Sequence, residues 1–189
     1  MKKLVVVIDG PGGVGKDSIL YGLVEKYPKV YERFITVTTR PMRENEFEGH
    51  PYSFVTEAEF KARRESGDIF ESTYRHGTYR GMSRKLIDKV LDCGKIAVGS
   101  SDINGMEPMK KIYGKNIVFV FIKAPREDVK ARLLNRGDSA QEAQSRLKEF
   151  DDYMMREPFY DRSIENKNLN KAVDELHRII VNYLLEESS

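Results

Sequence analysis

Leu4-Val5-Val6-Val7-Ile8-Asp9-Gly10-Pro11-Gly12-Gly13-Val14-Gly15-Lys16-Asp17-Ser18 decides the fold. Its first five residues are unbroken apolar and mostly β-branched, as expected of a parallel strand buried on both faces. Gly10 to Lys16 then reads G-x-x-x-x-G-K, and apolar Ile19, Leu20, Leu23 and Val24 follow at helical spacing as far as Tyr27-Pro28. In that strand–loop–helix context the segment Gly10, Pro11, Gly12, Gly13, Val14, Gly15 curls its N–H groups inward onto phosphate oxygens, aided by the helix N-terminus. Lys16 reaches the β- and γ-phosphates as a mobile point charge. A bare glycine turn accounts for neither the lysine in register nor the strand before it.

The residue after the loop lysine is normally a Ser or Thr whose hydroxyl ligates Mg²⁺; here it is Asp17, with Ser18 next. Mg²⁺ takes oxygen ligands in an octahedral shell, so a carboxylate also serves, directly or through water. Asp17 equally suits a helix N-terminus by its charge alone. Both readings stay open, and Asp17 and Ser18 are the candidate metal ligands.

Outward from the loop, Phe34 to Thr38 reads as a strand and Arg40 to His50 as a charged loop. Tyr52 to Tyr79 mixes short strand signals (YSFV, IFES) with a short helix over Glu57 to Glu65, unlike its flanks, and reads as an inserted subdomain. Alternation then resumes through Ser83–Leu91, Lys95–Gly99, Ile103–Tyr113 and the strong strand Asn116–Ile122. Helices over Pro125–Leu134, Gln141–Tyr153 and Asn170–Leu185 complete the chain. Strands separated by helices imply a parallel sheet flanked by helices, so the fold class is α/β with a P-loop core. The expected organisation is one domain over 1–189: a core of 1–35 and 83–189, an acceptor-binding insert of about 36–82, and a short lid near 134–146.

Thirty-two basic against 30 acidic residues leave a net charge of +2, which supports neither nucleic acid nor a membrane surface as a partner. A single cysteine, Cys93, allows no internal disulfide and suits a reducing cytoplasm. The N-terminal MKKLVVVIDG has too short an apolar run for a signal peptide and leads straight into the glycine loop. No apolar stretch approaches the ~20 residues of a membrane span. His50, His76 and His177 show no ligand spacing, and Met106, Met109, Met154 and Met155 read as packing residues.

The acceptor region is the most specific. Thr36-Val37-Thr38-Thr39-Arg40-Pro41-Met42-Arg43 is followed by Tyr52-Ser53-Phe54-Val55, Ile69-Phe70-Glu71 and His76-Gly77-Thr78-Tyr79-Arg80-Gly81. Two arginines three apart, followed by tyrosines, suit a phosphate monoester: guanidinium forks bind its oxygens bidentately and phenols donate further hydrogen bonds.

From the phosphate loop to the last helix, these motifs resemble the guanylate kinase family. That resemblance implies an ATP- and Mg²⁺-dependent kinase acting on GMP or dGMP. It implies that Arg40, Arg43, Tyr52 and Tyr79 or Arg80 hold the acceptor phosphate, and that Thr36, Glu71 and Asp102 read the guanine edge. Arg132, Arg136 and Arg146, in ARLLNRGDSAQEAQSRL, look like the family's lid arginines, which with Lys16 and Arg40 would neutralise charge in the transition state. Asn166 matches a position near the bound adenine. The chain departs from the family at Tyr79-Arg80, where two tyrosines are usual, at Met82 in place of a small hydroxyl residue, and at Ser100 in place of an acid, with Asp102 kept. A carboxylate lost at 100 and gained at 17 suggests a relocated metal ligand. Lys16-Asp17-Ser18 is also similar to the loop of ribose 1,5-bisphosphate phosphokinase. Three alternatives therefore stand beside GMP kinase: a kinase for another phosphorylated acceptor, a non-catalytic guanylate-kinase-like binding module, and a bare NTPase switch.

Overall fold

A computed structural model describes residues 3–44, 46–50, 52–75, 77–135, 137 and 139–186. In chain order the elements are β1 (Val5–Asp9), α1 (Lys16–Lys26), β2 (Tyr31–Arg33), β3 (Thr36–Thr38), β4 (Tyr52–Phe54), α2 (Glu57–Glu65), β5 (Ile69–Arg75), β6 (Thr78–Ser83) and α3 (Arg84–Asp92). There follow β7 (Ile96–Ser100), α4 (Ile103–Tyr113), β8 (Ile117–Lys123), α5 (Arg126–Asn135), α6 (Ala140–Met154), β9 (Arg162–Glu165) and α7 (Leu169–Glu186).

Five strands form a wholly parallel sheet in the order β2-β7-β1-β8-β9. Alternation along its central strands builds two cores. Val6, Ile8, Val118, Val120 and Ile122 pack on Ile19, Leu20 and Leu23 of α1 and on Val173, Leu176 and Ile180 of α7. Val5, Val7, Phe119 and Phe121 point the other way, onto Ile87 and Val90 of α3 and Met106 and Met109 of α4. This is the α/β layering the strand–helix alternation implies, with helices on both faces of a parallel sheet.

A second, mixed sheet runs β4-β3-β6-β5, with β3 parallel to β4 and antiparallel to β6. Phe60 of α2 seals one face against Val37 and Ile69. Gly81 lies at this contact: a Cβ there would stand 2.6 Å from Ile69 Cγ2 and 2.9 Å from the Phe60 ring. The helix starts where its capping box sets it, with Thr56 and Glu59 exchanging side-chain and backbone hydrogen bonds. Where this sheet returns to the core, buried Asp68 accepts from Ser83 Oγ at 2.7 Å, Arg63 Nε at 2.8 Å and the Lys85 N–H at 3.0 Å. Burial pushes its carboxyl up, but these hydrogen bonds outweigh burial and hold it below the usual range.

The strand read over Phe34 to Thr38 is shorter, Thr36–Thr38, and joins the second sheet; a separate strand before it, Tyr31–Arg33, joins the core sheet beside β7. Between them Phe34 turns into the core, its ring occupying the space a side chain on Gly99 would need. The edge strand β9 and its single buried residue, Ile164, carry no alternating pattern for the sequence to display.

Candidate functional site

The phosphate loop leaves β1 at the carboxyl edge of the core sheet, where ligands of open α/β sheets sit. Gly10 has φ 149° and passes so close to β8 that a Cβ would lie 2.1 Å from the Ile122 carbonyl oxygen. Only glycine fits there. Gly15, at φ 93°, caps α1, and a Cβ would stand 2.6 Å from Asn166 Nδ2.

Lys16 opens α1 and folds its ammonium back over the loop, donating to the Gly10 and Pro11 carbonyls, the latter at 3.0 Å. Burial lowers its pKa, opposed by the charges of Asp9 and Asp17. Asp9 ends β1 at 3% exposure and accepts from the Gly10 N–H at 2.7 Å, from Tyr153 at 3.3 Å and from the Tyr160 hydroxyl. Burial raises its pKa in spite of these bonds. Asp9 is not among the residues the motifs single out, though a carboxylate at the end of an otherwise wholly apolar strand marks it.

Two of the three proposed lid arginines meet this loop. Arg132 of α5 donates from Nη1 to the Val14 carbonyl at 3.2 Å and from Nη2 to the Asn166 carbonyl at 2.8 Å. Arg146 of α6 brings Nη1 to 3.8 Å from where a side chain on Gly12 would begin. Arg136, like His76, lies outside the described residues. Asn166, also 3% exposed, donates from Nδ2 to the Val14 carbonyl at 2.7 Å, while its Oδ1 is buried with no partner among the described residues.

Between the two sheets opens a cleft of about 540 Å³. Asp17 lines it from the loop side, and Thr36, Tyr52, Glu71, Arg80, Met82, Ser100, Ser101 and Asp102 line it further in. Glu71 is half-buried, and burial first, then the charge of Asp102, pushes its carboxyl up. Asp102 caps α4 by accepting from the Asn104 N–H at 2.9 Å. Met82 is 3% exposed and fills the space beside Gly105, where a Cβ would meet its methyl at 2.6 Å.

Strand alternation separates Tyr79 from Arg80. Tyr79 stacks on Phe60 at 5.2 Å, on the α2 face of the second sheet. Arg80 lines the cleft, its guanidinium 5.0 Å from the Tyr52 ring centroid. The Arg40 guanidinium lies 5.6 Å from the same ring, bonded through Nη2 to Glu46 at 2.8 Å and through Nη1 to the Pro41 carbonyl at 2.7 Å. Arg43 is exposed, and its N–H donates to Glu46 Oε2 at 2.8 Å. Neither Arg40 nor Arg43 is among the described residues that line the cleft itself. Glu46 and Arg33 were not singled out from the sequence, where each is one charge among many.

A family model described as guanylate kinase matches residues 1–183. The chain belongs to the guanylate kinase family. The guanylate kinase of Helicobacter pylori is 36% identical over 170 residues, covering 89% of this chain and 82% of its own. That of Syntrophus aciditrophicus is 34% identical over 175 residues (92% and 84%), and that of Thermotoga maritima 33% over 182 (95% and 87%). The crystal structure of guanylate kinase from Anaplasma phagocytophilum superposes with a TM-score of 0.71 at 24% identity, covering 95% of this chain and 85% of the other, a likeness of fold. As a guanylate kinase family member the chain is a phosphotransferase, and no helix among its described residues is long and apolar enough to cross a membrane.

Proposed function

We propose that this chain transfers the γ-phosphoryl group of ATP to GMP or dGMP, giving ADP and the nucleoside diphosphate. The observation that carries this reading is the shared cleft. Asp17, next to the loop lysine, lines the same cavity as Tyr52 and Arg80, suited to a phosphate, and Glu71 and Asp102, suited to a base edge.

On the donor side the loop amides of Gly12 to Gly15 cradle the phosphates, Lys16 bridges the β- and γ-oxygens, and Arg132, Arg136 and Arg146 neutralise the charge that spreads in the transition state. The unpartnered Oδ1 of Asn166 accepts from the adenine amine. On the acceptor side Arg40, Arg43, Tyr52 and Arg80 clamp the phosphate, and Tyr79 supports the sheet from behind. Glu71 and Asp102 accept from the guanine N1–H and amine, and the Thr36 hydroxyl reaches O6.

The residues present fit Mg²⁺: exposed Asp17 and Ser18, a carboxylate and a hydroxyl in the first turn of α1, suit an ion that keeps several waters and binds mainly substrate phosphates. When bound it would neutralise phosphate charge. The acceptor phosphate is itself a competent nucleophile, so in-line positioning and charge neutralisation supply the rate without a general base. The segment of about 134–146 serves as a lid and that of about 36–82 as the acceptor-binding body; their closure excludes water. The lone Cys93 fits a reducing cytoplasm.

Arg80 in the cleft and the apolar Met82 at its floor favour, as a second reading, a bisphosphorylated ribose as acceptor. A coupled ADP-release assay across GMP, dGMP, AMP, CMP, UMP and ribose 1,5-bisphosphate decides. Turnover with GMP and dGMP is expected; turnover of the ribose bisphosphate alone overturns the guanine reading.

A further inference from the structure

Arg33 is the last residue of β2, at the carboxyl edge of the core sheet, and it lines the cleft opposite the second sheet. Its side chain is 23% exposed and doubly fixed. Nη2 donates to Asp17 Oδ1 at 2.8 Å, and Cζ lies 4.4 Å from the Tyr21 ring centroid, one turn further along α1. A guanidinium carries five N–H donors in a rigid fork, and among the described residues Asp17 is the one hydrogen-bond partner Arg33 has. The carboxylate it meets is 72% exposed, and an ion pair with so solvated a partner adds little to stability. What the pair does achieve is orientation: one nitrogen of the fork is bound, one face is covered, and the residue lines the same cavity as Tyr52 and Arg80.

We propose that Arg33 is a further anion-binding residue of the acceptor cleft, contacting the phosphate of the bound nucleotide from the core side, and that Asp17 and Tyr21 are its positioning residues. This gives Asp17 a task apart from metal ligation and explains why an acid can stand after the loop lysine. The inference rests on the cleft being the acceptor site.

The test is titration calorimetry of GMP into the full chain without ATP or metal, with melting temperatures measured in parallel. Losing one charge-assisted contact in Arg33→Leu should weaken GMP binding roughly tenfold, with the melting temperature nearly unchanged. Arg33→Gln, which keeps the stem and one donor, serves if the leucine variant does not fold, and should fall between. Asp17→Asn should weaken GMP in the Arg33 chain and have no further effect once Arg33 is leucine or glutamine. If wild type takes up no GMP, the acceptor reading falls. If wild type binds GMP while a folded Arg33 variant binds it within about two-fold, or shows only a lowered melting temperature, the role given to Arg33 is overturned. An equal loss from Asp17→Asn in both backgrounds overturns the positioning role of Asp17.

Discussion

The Glu46 carboxylate holds both arginines of the Arg40-Pro41-Met42-Arg43 segment at once: Oε1 accepts from Arg40 Nη2 at 2.8 Å and Oε2 from the Arg43 N–H at 2.8 Å. The first bond draws the Arg40 guanidinium against Tyr52 and Phe54, at 5.6 and 5.5 Å from their ring centroids, and the second folds the loop around it. Arg40 Nε is left buried and without a partner among the described residues, the state of a cation arranged before its ligand arrives.

Glu46→Gln should therefore raise the KM for GMP by about tenfold through loss of a charge-assisted bond, with kcat less affected. The Arg40 hydrogen bond, then that from the Arg43 N–H, holds Glu46 below the ordinary glutamate range. Its support is thus present above that range and is lost only as pH falls through the lowered folded value. Steady-state kinetics between neutral and acid pH check this: the KM difference between the two proteins should close only at the acid end.

Lys16→Ala should lower kcat by about 10²–10³ or more, because a positive group placed for the transition state is removed. Circular dichroism should show the fold kept, since among the described residues the Lys16 ammonium hydrogen-bonds to the loop's own carbonyls. Near-normal turnover by a folded variant would count against phosphoryl transfer at this loop.

The parts of this molecule that the sequence displays are those governed by local periodicity. The unbroken β1 and β8, the loop between Asp9 and Lys16, and α2 with its Thr56–Glu59 capping box need no knowledge of distant partners. Tyr31–Arg33 was hidden because an edge strand reading YER has no alternation, and its parallel pairing to β7 spans more than sixty residues. The same holds for the site. Glycines and the Arg40/Arg43 spacing are legible, whereas the choice between Tyr79 and Arg80 depends on which face of β6 meets Phe60. Arg33 and Glu46 gain meaning only from the groups that folding places beside them.

Asp9 sets a pH dependence of stability. Its folded pKa is raised, by burial foremost, with the Tyr160 and Gly10 hydrogen bonds and the Lys16 charge opposing. A raised acid favours the fold below the ordinary aspartate value, and that contribution is lost as pH rises through the folded value. Asp9→Asn does not titrate, so it should gain measurably on wild type as pH goes from about 4 to about 7. Denaturant titrations at both pH values measure the difference; parallel behaviour would show that Asp9 is compensated by its two tyrosines.

Glu71 opposes stability to specificity. Burial, and then the charge of Asp102, raise its pKa, so the ionised carboxylate is disfavoured in the cleft. A guanine N1–H offsets this by donating to it; adenine has no N–H at that position and leaves the carboxylate unpaired. A site built on such an acceptor can reject the wrong base by up to ~10⁴. Glu71→Gln removes the charge and keeps the size, so the free protein should be equally or more stable at neutral pH while the preference for GMP over AMP collapses. As pH falls through the raised value, protonated Glu71 loses its charge and one of its two acceptor oxygens and so binds the guanine edge more weakly; wild-type KM for GMP should climb, and this limb should be missing in Glu71→Gln. Competition between GMP and AMP, run at neutral and mildly acid pH, reads both effects together. A glutamine variant that still prefers GMP and keeps the acid limb would take Glu71 out of base recognition and leave Asp102 and Thr36 to carry it.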